Sequence, residues 1–317
     1  MKRYWSILLL LIIPLPSIIM AQDDGEFILA NQYPIYSQYL LDGLVINPAY
    51  AGTRDALSIS LTGRKKMLGF TGESSMQSIS LHSPLKKERI ALGLSVSHFT
   101  YGVTDQTSFY GYYAYHIRVE NGLWSMALKA GADMITSDYS GITTAIPGDP
   151  VFDNGSESYV MPNVGAGVYY KNSRFFAGLA VPALLTYKSD TLSSGYRFEP
   201  DYNYYDILFS AGALVTVTET VKIKPSVLVK YSLNNSIRID LNTNFILYDF
   251  IWLGASWRIG EEALVGILEL QVSQQLRLGY SYDYSIGVLS GFTGGTHEVG
   301  LMFDFGKKVS AANPRYF

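Results

Sequence analysis

The chain has 317 residues, with 24 Lys and Arg against 27 Asp and Glu, a formal net charge of −3. That mildly acidic balance lacks the basic footprint of a nucleic-acid binder. The absence of cysteine excludes disulfides, thiolate metal sites, a cysteine nucleophile and a lipidated cysteine after a leader. Charged residues are scarce at 16% and aromatics abundant at 14%, with 25 Tyr. Tyr joins an apolar ring to a polar tip, which suits a surface that is part lipid and part water.

Residues 1–21 read as a secretory leader. Lys2 and Arg3 give the positive start, Trp5 to Ile13 the apolar stretch, and Ile19-Met20-Ala21 a small-residue cut site. The apolar run before Pro14 and Pro16 falls short of the roughly 20 residues needed to span a bilayer. After Ala21 no stretch offers about 18 uninterrupted apolar residues. The remaining chain is therefore expected either to be soluble or to cross a membrane as a closed barrel.

Residues 22–54 carry prolines and turn residues without sustained alternation, as in Tyr33-Pro34-Ile35-Tyr36. They predict an irregular segment with at most one short helix, a candidate plug. From 55 to 306 the dominant period is two. Ile237, Ile239, Leu241, Phe245 and Leu247 oppose Arg238, Asp240, Asn242 and Asn244. Leu276, Leu278, Tyr280, Tyr282 and Tyr284 oppose Arg277, Gly279, Ser281 and Asp283. Strict alternation predicts strands with one apolar and one polar face, here about 14 of them. They lie near 55–66, 73–83, 88–100, 106–119, 122–136, 158–171, 174–183, 204–218, 220–232, 235–248, 250–260, 262–273, 275–286 and 295–306. Segments of about ten residues suit tilted strands that cross a bilayer. Residues 307–317 form a C-terminal tail.

The connections give an independent test. The long Gly-, Ser- and Asp-rich ones, 138–157, 184–203 and 287–294, all follow odd-numbered strands. They share one side, and the even-numbered connections are short. Outer-membrane barrels have short periplasmic turns and long outer loops. The apolar rows then face lipid. The lumen receives Lys129, Asp133, Lys230, Arg238, Asp240, Arg258, Glu269, Arg277, Asp283, Glu298 and Asp304. A Lys or Arg facing mid-bilayer lipid would cost about 2–4 kcal/mol. A soluble β-sandwich is the competing architecture, but it would not need long loops on one side only.

Little in the sequence points to catalysis. His82, His98, His116 and His297 form no metal-ligand spacing. Gly93-Leu94-Ser95-Val96-Ser97 lacks the final Gly of a nucleophile elbow and sits in an alternating strand. Residues 300–307 resemble a phosphate loop, with spacing one residue too long and no Ser or Thr after Lys307. A calcium loop starting at Asp149 fails at Val151, so Asp149-Pro150 and Asp153-Asn154-Gly155 read as a solvated turn. The expectation is no enzyme, no cofactor and no metal. An outer-membrane lipase would need a lipid-facing Ser–His pair, for which Ser95 and His98 are the nearest candidates.

Several stretches together resemble the PorP/SprF family of the Bacteroidetes type IX secretion system. The most specific are Tyr36-Ser37-Gln38-Tyr39 and Ile46-Asn47-Pro48-Ala49-Tyr50-Ala51-Gly52. His82-Ser83-Pro84-Leu85, Tyr112-Tyr113-Ala114-Tyr115, Leu128-Lys129-Ala130-Gly131 and Pro162-Asn163-Val164-Gly165 continue it. So do Lys224-Pro225-Ser226, Trp252 to Arg258, Leu276 to Tyr284, and His297-Glu298. The chain departs from the family's usual residues at Tyr33, Ile35 and Lys66-Met67. The resemblance implies a non-catalytic outer-membrane protein working with the type IX translocon and gliding proteins. It also implies a secreted adhesin with a C-terminal sorting domain as partner. On that reading, loops 138–157 and 184–203 engage the adhesin, and the periplasmic side with the N-terminal segment engages the translocon. The competing reading is a solute channel of the fatty-acid-transporter type, which needs an open lumen or a lateral gap.

Overall fold

The computed structural model describes residues 28–29, 35–69, 73–85, 89–140, 155–190, 195–199, 205–232, 235–287 and 290–305. The leader, the 307–317 tail with Lys307, and Asp149, Pro150, Asp153 and Asn154 lie outside the described residues.

Fourteen antiparallel strands form a closed barrel. In chain order they are β2 (Leu57–Lys66), β3 (Ser74–Pro84), β4 (Ile90–Tyr101), β5 (Thr104–Val119), β6 (Gly122–Asp138), β7 (Ser156–Lys171) and β8 (Phe175–Val181). After these come β11 (Ile207–Ala213), β13 (Val221–Ser232), β14 (Asn235–Leu247), β15 (Ile251–Ile259), β16 (Ala263–Gln271), β17 (Leu276–Ser285) and β18 (Thr296–Phe305). Each strand pairs with its chain neighbour. The first and last close the ring, from Leu57 opposite Phe305 to Lys65 opposite His297.

Four smaller strands complete the set among the described residues. β12 (Val215–Thr216) extends the edge of β13. β1 (Ile28–Leu29), β9 (Thr186–Asp190) and β10 (Gly195–Glu199) form a separate three-stranded sheet.

Alternation decides which way each side chain points. On β6, Trp124, Met126 and Leu128 face outward at 45%, 51% and 64% exposure, while Ser125, Ala127 and Lys129 face in. A belt of exposed Leu, Val, Phe and Tyr this extensive would be costly in water at about 25 cal/mol per Å². A hydrocarbon surround removes that cost. Trp124, Tyr170 and Phe175 group on the outside at the short-turn end, their successive rings 4.8 and 5.3 Å apart. This is where interfacial aromatics belong. Tyr248 and Asp249, both with positive φ, make the tight turn from β14 to β15.

The sequence reading differs from the structure in three places. Strands β6 and β7 run on to Asp138 and from Ser156, so the loop between them is shorter than 138–157. The segment 184–203 is not all loop, because it holds the β9–β10 hairpin. The strand expected at 204–218 is divided at Leu214 into the seven-residue β11 and the two-residue β12, which pair with β13 in one register.

Candidate functional site: a filled lumen

Residues 35–54 lie inside the barrel and, apart from Leu40 and Val45, are buried. In place of at most one short helix they form two single 3-10 turns, Gly43–Val45 and Pro48–Tyr50. Asp42 caps the first by accepting Leu44 N–H, and Asn47 caps the second by accepting Ala49 N–H. Short polar residues before each turn thus satisfy donors that would otherwise be orphaned in the lumen.

The upper anchor lies toward the long-loop end. Glu298 accepts the backbone N–H of Ser37 at 2.9 Å and of Gln38 at 2.8 Å. Ser37 Oγ donates to Asp283 at 2.8 Å and accepts from Arg64 at 2.7 Å and Arg258 at 2.9 Å. Arg64 also pairs with Asp283 and Glu298, each at 2.7 Å. Arg258 pairs with Asp283 at 2.8 Å and Asp240 at 3.4 Å. Arg238 extends the network to Asp240 at 3.2 Å and Glu261 at 2.6 Å. Buried charges need this degree of mutual pairing to offset their lost hydration. Gly279 and Gly300 face each other across the β17–β18 ladder, and a Cβ on either would run into Gln38 or Leu41.

The middle of the segment is held by neutral groups. Tyr39 shares a hydrogen bond with Ser226 at 3.3 Å, and Ser80 donates to Asp42 at 2.5 Å. Asn47 Nδ2 donates to Val168 O at 2.9 Å. Asn47 and Pro48 press against Gly167, where any Cβ would overlap them. Tyr50 packs edge-on against His82 and Tyr169.

The lower anchor lies at the short-turn end. Gly52 N–H donates to His82 Nδ1 at 3.1 Å, and His116 Nε2 bonds Ala51 O at 2.9 Å. Lys171 reaches Thr53 O. Arg54 pairs with Asp304 at 2.8 Å, and Ser58 donates to the same carboxylate at 2.6 Å.

The remaining lumen residues named from sequence form separate groups. Lys129 lies 3.8 Å over the Tyr110 ring, and Asp133 accepts from Ser108 and Tyr110 at 2.5 and 2.7 Å. Arg277 meets Glu269 at 3.5 Å and stacks on Trp252 at 4.1 Å. Lys230 pairs with Asp206 at 2.8 Å. The family-like residues Tyr36, Ser37, Gln38, Tyr39, Asn47, Pro48, Ala49, Tyr50 and Gly52 all lie in the buried segment.

The sequence reading did not single out Arg64, Arg54 or Asp42 as lumen residues. Alternation in 57–66 puts Ser58, Ser60, Thr62 and Arg64 on one face, so Arg64 was within reach of that rule. Arg54 and Asp42 precede the alternation and carried no such signal.

The N-terminal segment expected as a plug has its described part 35–54 in the lumen, ending at the short-turn side with Thr53 and Arg54, while β1 pairs with β9 in the long connection after β8.

Ser95 points inward to Tyr112, and His98 lies on the outer face with Thr107, so the two sit on opposite sides of β4. Among the described residues no group of His, Asp and Glu has metal-binding geometry.

Comparison with solved structures finds other barrels at low identity. The CymD monoaromatic hydrocarbon channel is 11% identical with a TM-score of 0.49, over 84% of this chain and 93% of that one. The Acinetobacter baumannii outer membrane protein Omp33 is 8% identical with a TM-score of 0.45, over 79% and 99%. A Pseudomonas aeruginosa FadL homologue is 10% identical with a TM-score of 0.43, over 82% and 93%. At this distance they say nothing of what this chain handles. No curated protein matches. The family model for the type IX secretion system membrane protein PorP/SprF matches residues 28–303. With most of its length matched and its strands closed into a lipid-facing barrel, the chain belongs to the PorP/SprF family and is an outer-membrane β-barrel.

Proposed function

We propose that this barrel is a non-catalytic component of the type IX secretion and gliding machinery, exported with cleavage after Ala21, that assists export or surface anchoring of one partner adhesin. The observation that carries the reading is the filled lumen. Residues 35–54 are tied to the wall at one end by hydrogen bonds of Ser37 and Gln38 to a buried charged cluster and at the other by the Arg54–Asp304 ion pair. A barrel closed in this way works through its two faces and not by conducting a solute. The long-loop face, with the β6–β7 and β8–β11 connections, engages the exported adhesin through its C-terminal sorting domain. The short turns face the periplasm and meet translocon or gliding proteins. A solute channel needs an open lumen or lateral gap, and the buried segment argues against the first.

The test is affinity purification of a tagged copy from its native membrane in mild detergent, with mass spectrometry of what accompanies it. The expected result is a large adhesin with a C-terminal sorting domain, with or without translocon proteins. Recovery of the barrel alone, where other membrane complexes survive, overturns the reading. Normal adhesin display after deletion of both long loops would remove the role given to that face.

A further inference from the structure

The contacts of the buried segment have an order. Strands β2 and β17 end, and β18 begins, at the long-loop face. Arg64, Asp283 and Glu298 are each two residues from that end of their strand, and they hold Ser37 and Gln38. Next down the wall come Ser80, which holds Asp42, and Val168, which holds Asn47. Last come Asp304, Ser58 and Lys171, within a residue of the short-turn ends of β18, β2 and β7. They hold Thr53 and Arg54, just before β2 begins.

The wall contacts thus run from the long-loop end at Ser37 to the short-turn end at Arg54, while the two turns between them pack on each other, Gly43 against the Tyr50 ring. Ahead of Ile35 in the chain the next described residues are those of β1. β1 pairs with β9, Ile28 opposite Lys188 and Leu29 opposite Tyr187. β9 lies in the connection between Val181 and Ile207, which are both at the long-loop ends of their strands. The gap of a few residues from Leu29 to Ile35 is easily spanned at about 3.3 Å per residue.

From this path we propose that the polypeptide is threaded through its own barrel. It starts on the outer face as an added strand on the β9–β10 hairpin, passes down the lumen, and turns at the periplasmic mouth into the first wall strand. The inference rests on the reading above that the long-loop face is outermost. It adds a physical link, because β1 precedes the plug in the chain and pairs with the long connection after β8. Only two residues join β1 to the hairpin, whereas carboxylates and guanidinium groups hold Ser37. The outer pairing is thus the weaker end. A partner that adds its own strand to β9 would displace β1 and leave the lumen seal in place.

The experiment uses the full-length protein. A short hydrophilic epitope is inserted immediately before Ile28, at Ser290 in a long connection, or at Glu219 in a short turn. Each variant is stained with antibody on intact and on permeabilised cells. Independently, Leu29→Cys with Tyr187→Cys is made in this cysteine-free chain and exposed to mild oxidant.

The expected result is staining of the Ile28 and Ser290 epitopes on intact cells, the Glu219 epitope only after permeabilisation, and a disulfide in the double variant. Staining of the Ile28 epitope only with the Glu219 epitope, or no disulfide in folded protein, overturns the threading. If the Ile28 and Ser290 epitopes are both internal and Glu219 is external, the membrane orientation fails while the threading stands. Should an insertion block assembly, the disulfide decides.

Discussion

Glu298 shows how much one side chain does here. It is fully buried, takes two backbone N–H groups of the plug and pairs with Arg64. Removing it leaves two backbone donors without their acceptor and takes one of two carboxylates from the buried Arg64 guanidinium. Breaking a buried pair from one side costs about 3–5 kcal/mol. Glu298→Ala is therefore expected to lower the urea midpoint in lipid vesicles strongly. Glu298→Gln, which still accepts one hydrogen bond, should lower it less. Glu261, in the turn between β15 and β16, predicts a pH effect. Burial raises its carboxyl, but Arg238 and Arg258 outweigh that and hold it at about 2. A depressed carboxylate stabilises the fold above its unfolded value and loses that contribution as pH falls. The difference in melting temperature between wild type and Glu261→Gln should be full above the ordinary value of 4.5 and shrink as pH falls toward about 2. A difference independent of pH would refute the assignment.

Among elements, the Asn47-capped turn and the wall behind it are matched in shape. Asn47→Ala removes a cap worth about 1 kcal/mol. It also leaves Val168 O without its donor. Gly167→Ala forces a methyl group into Asn47, and overpacking typically costs about 1–3 kcal/mol. Both variants should shift heat-modified mobility to lower temperature, Gly167→Ala without changing any hydrogen-bonding group.

The wall strands themselves were legible, because lipid on one side and plug on the other keep a strict period of two. In β14 the row Arg238, Asp240, Asn242, Asn244 needs no tertiary information to be recognised. The β9–β10 hairpin was not legible. Its arms of five residues lack a sustained apolar row, and Ser193-Ser194-Gly195 between them reads equally well as loop. The break at Leu214 was not legible either, because Val215 and Val217 continue the apolar row and β12 stays in the β13 register.

For the molecule as a whole, the filled lumen sets the expected conductance. Wild type in planar bilayers should pass little current, and deletion of residues 35–54 should convert it to an open channel. Equal conductance of the two would mean that the segment does not occlude. The sequence offered the plug only as a candidate. Nothing local to Ser37 indicates that its acceptors lie at Asp283 and Glu298, far along the chain. Side-chain inventories gave the lumen charges but not their partners, since pairing depends on how the ring closes.

The β2–β18 ladder that closes the ring has a consequence for biogenesis. A cylinder cannot shut first and receive a bulky thread afterwards. On the threaded path proposed above, the zipping of Leu57 to Lys65 against His297 to Phe305 comes late, around the segment 35–54. A tightly folded domain spliced in ahead of Ile28 would have to cross the bilayer as a unit. It should stall assembly at the insertase and lead to degradation. The same domain appended after Phe317 stays on the side where synthesis delivers it. Pulse-chase measurement of protease-resistant barrel should show that asymmetry.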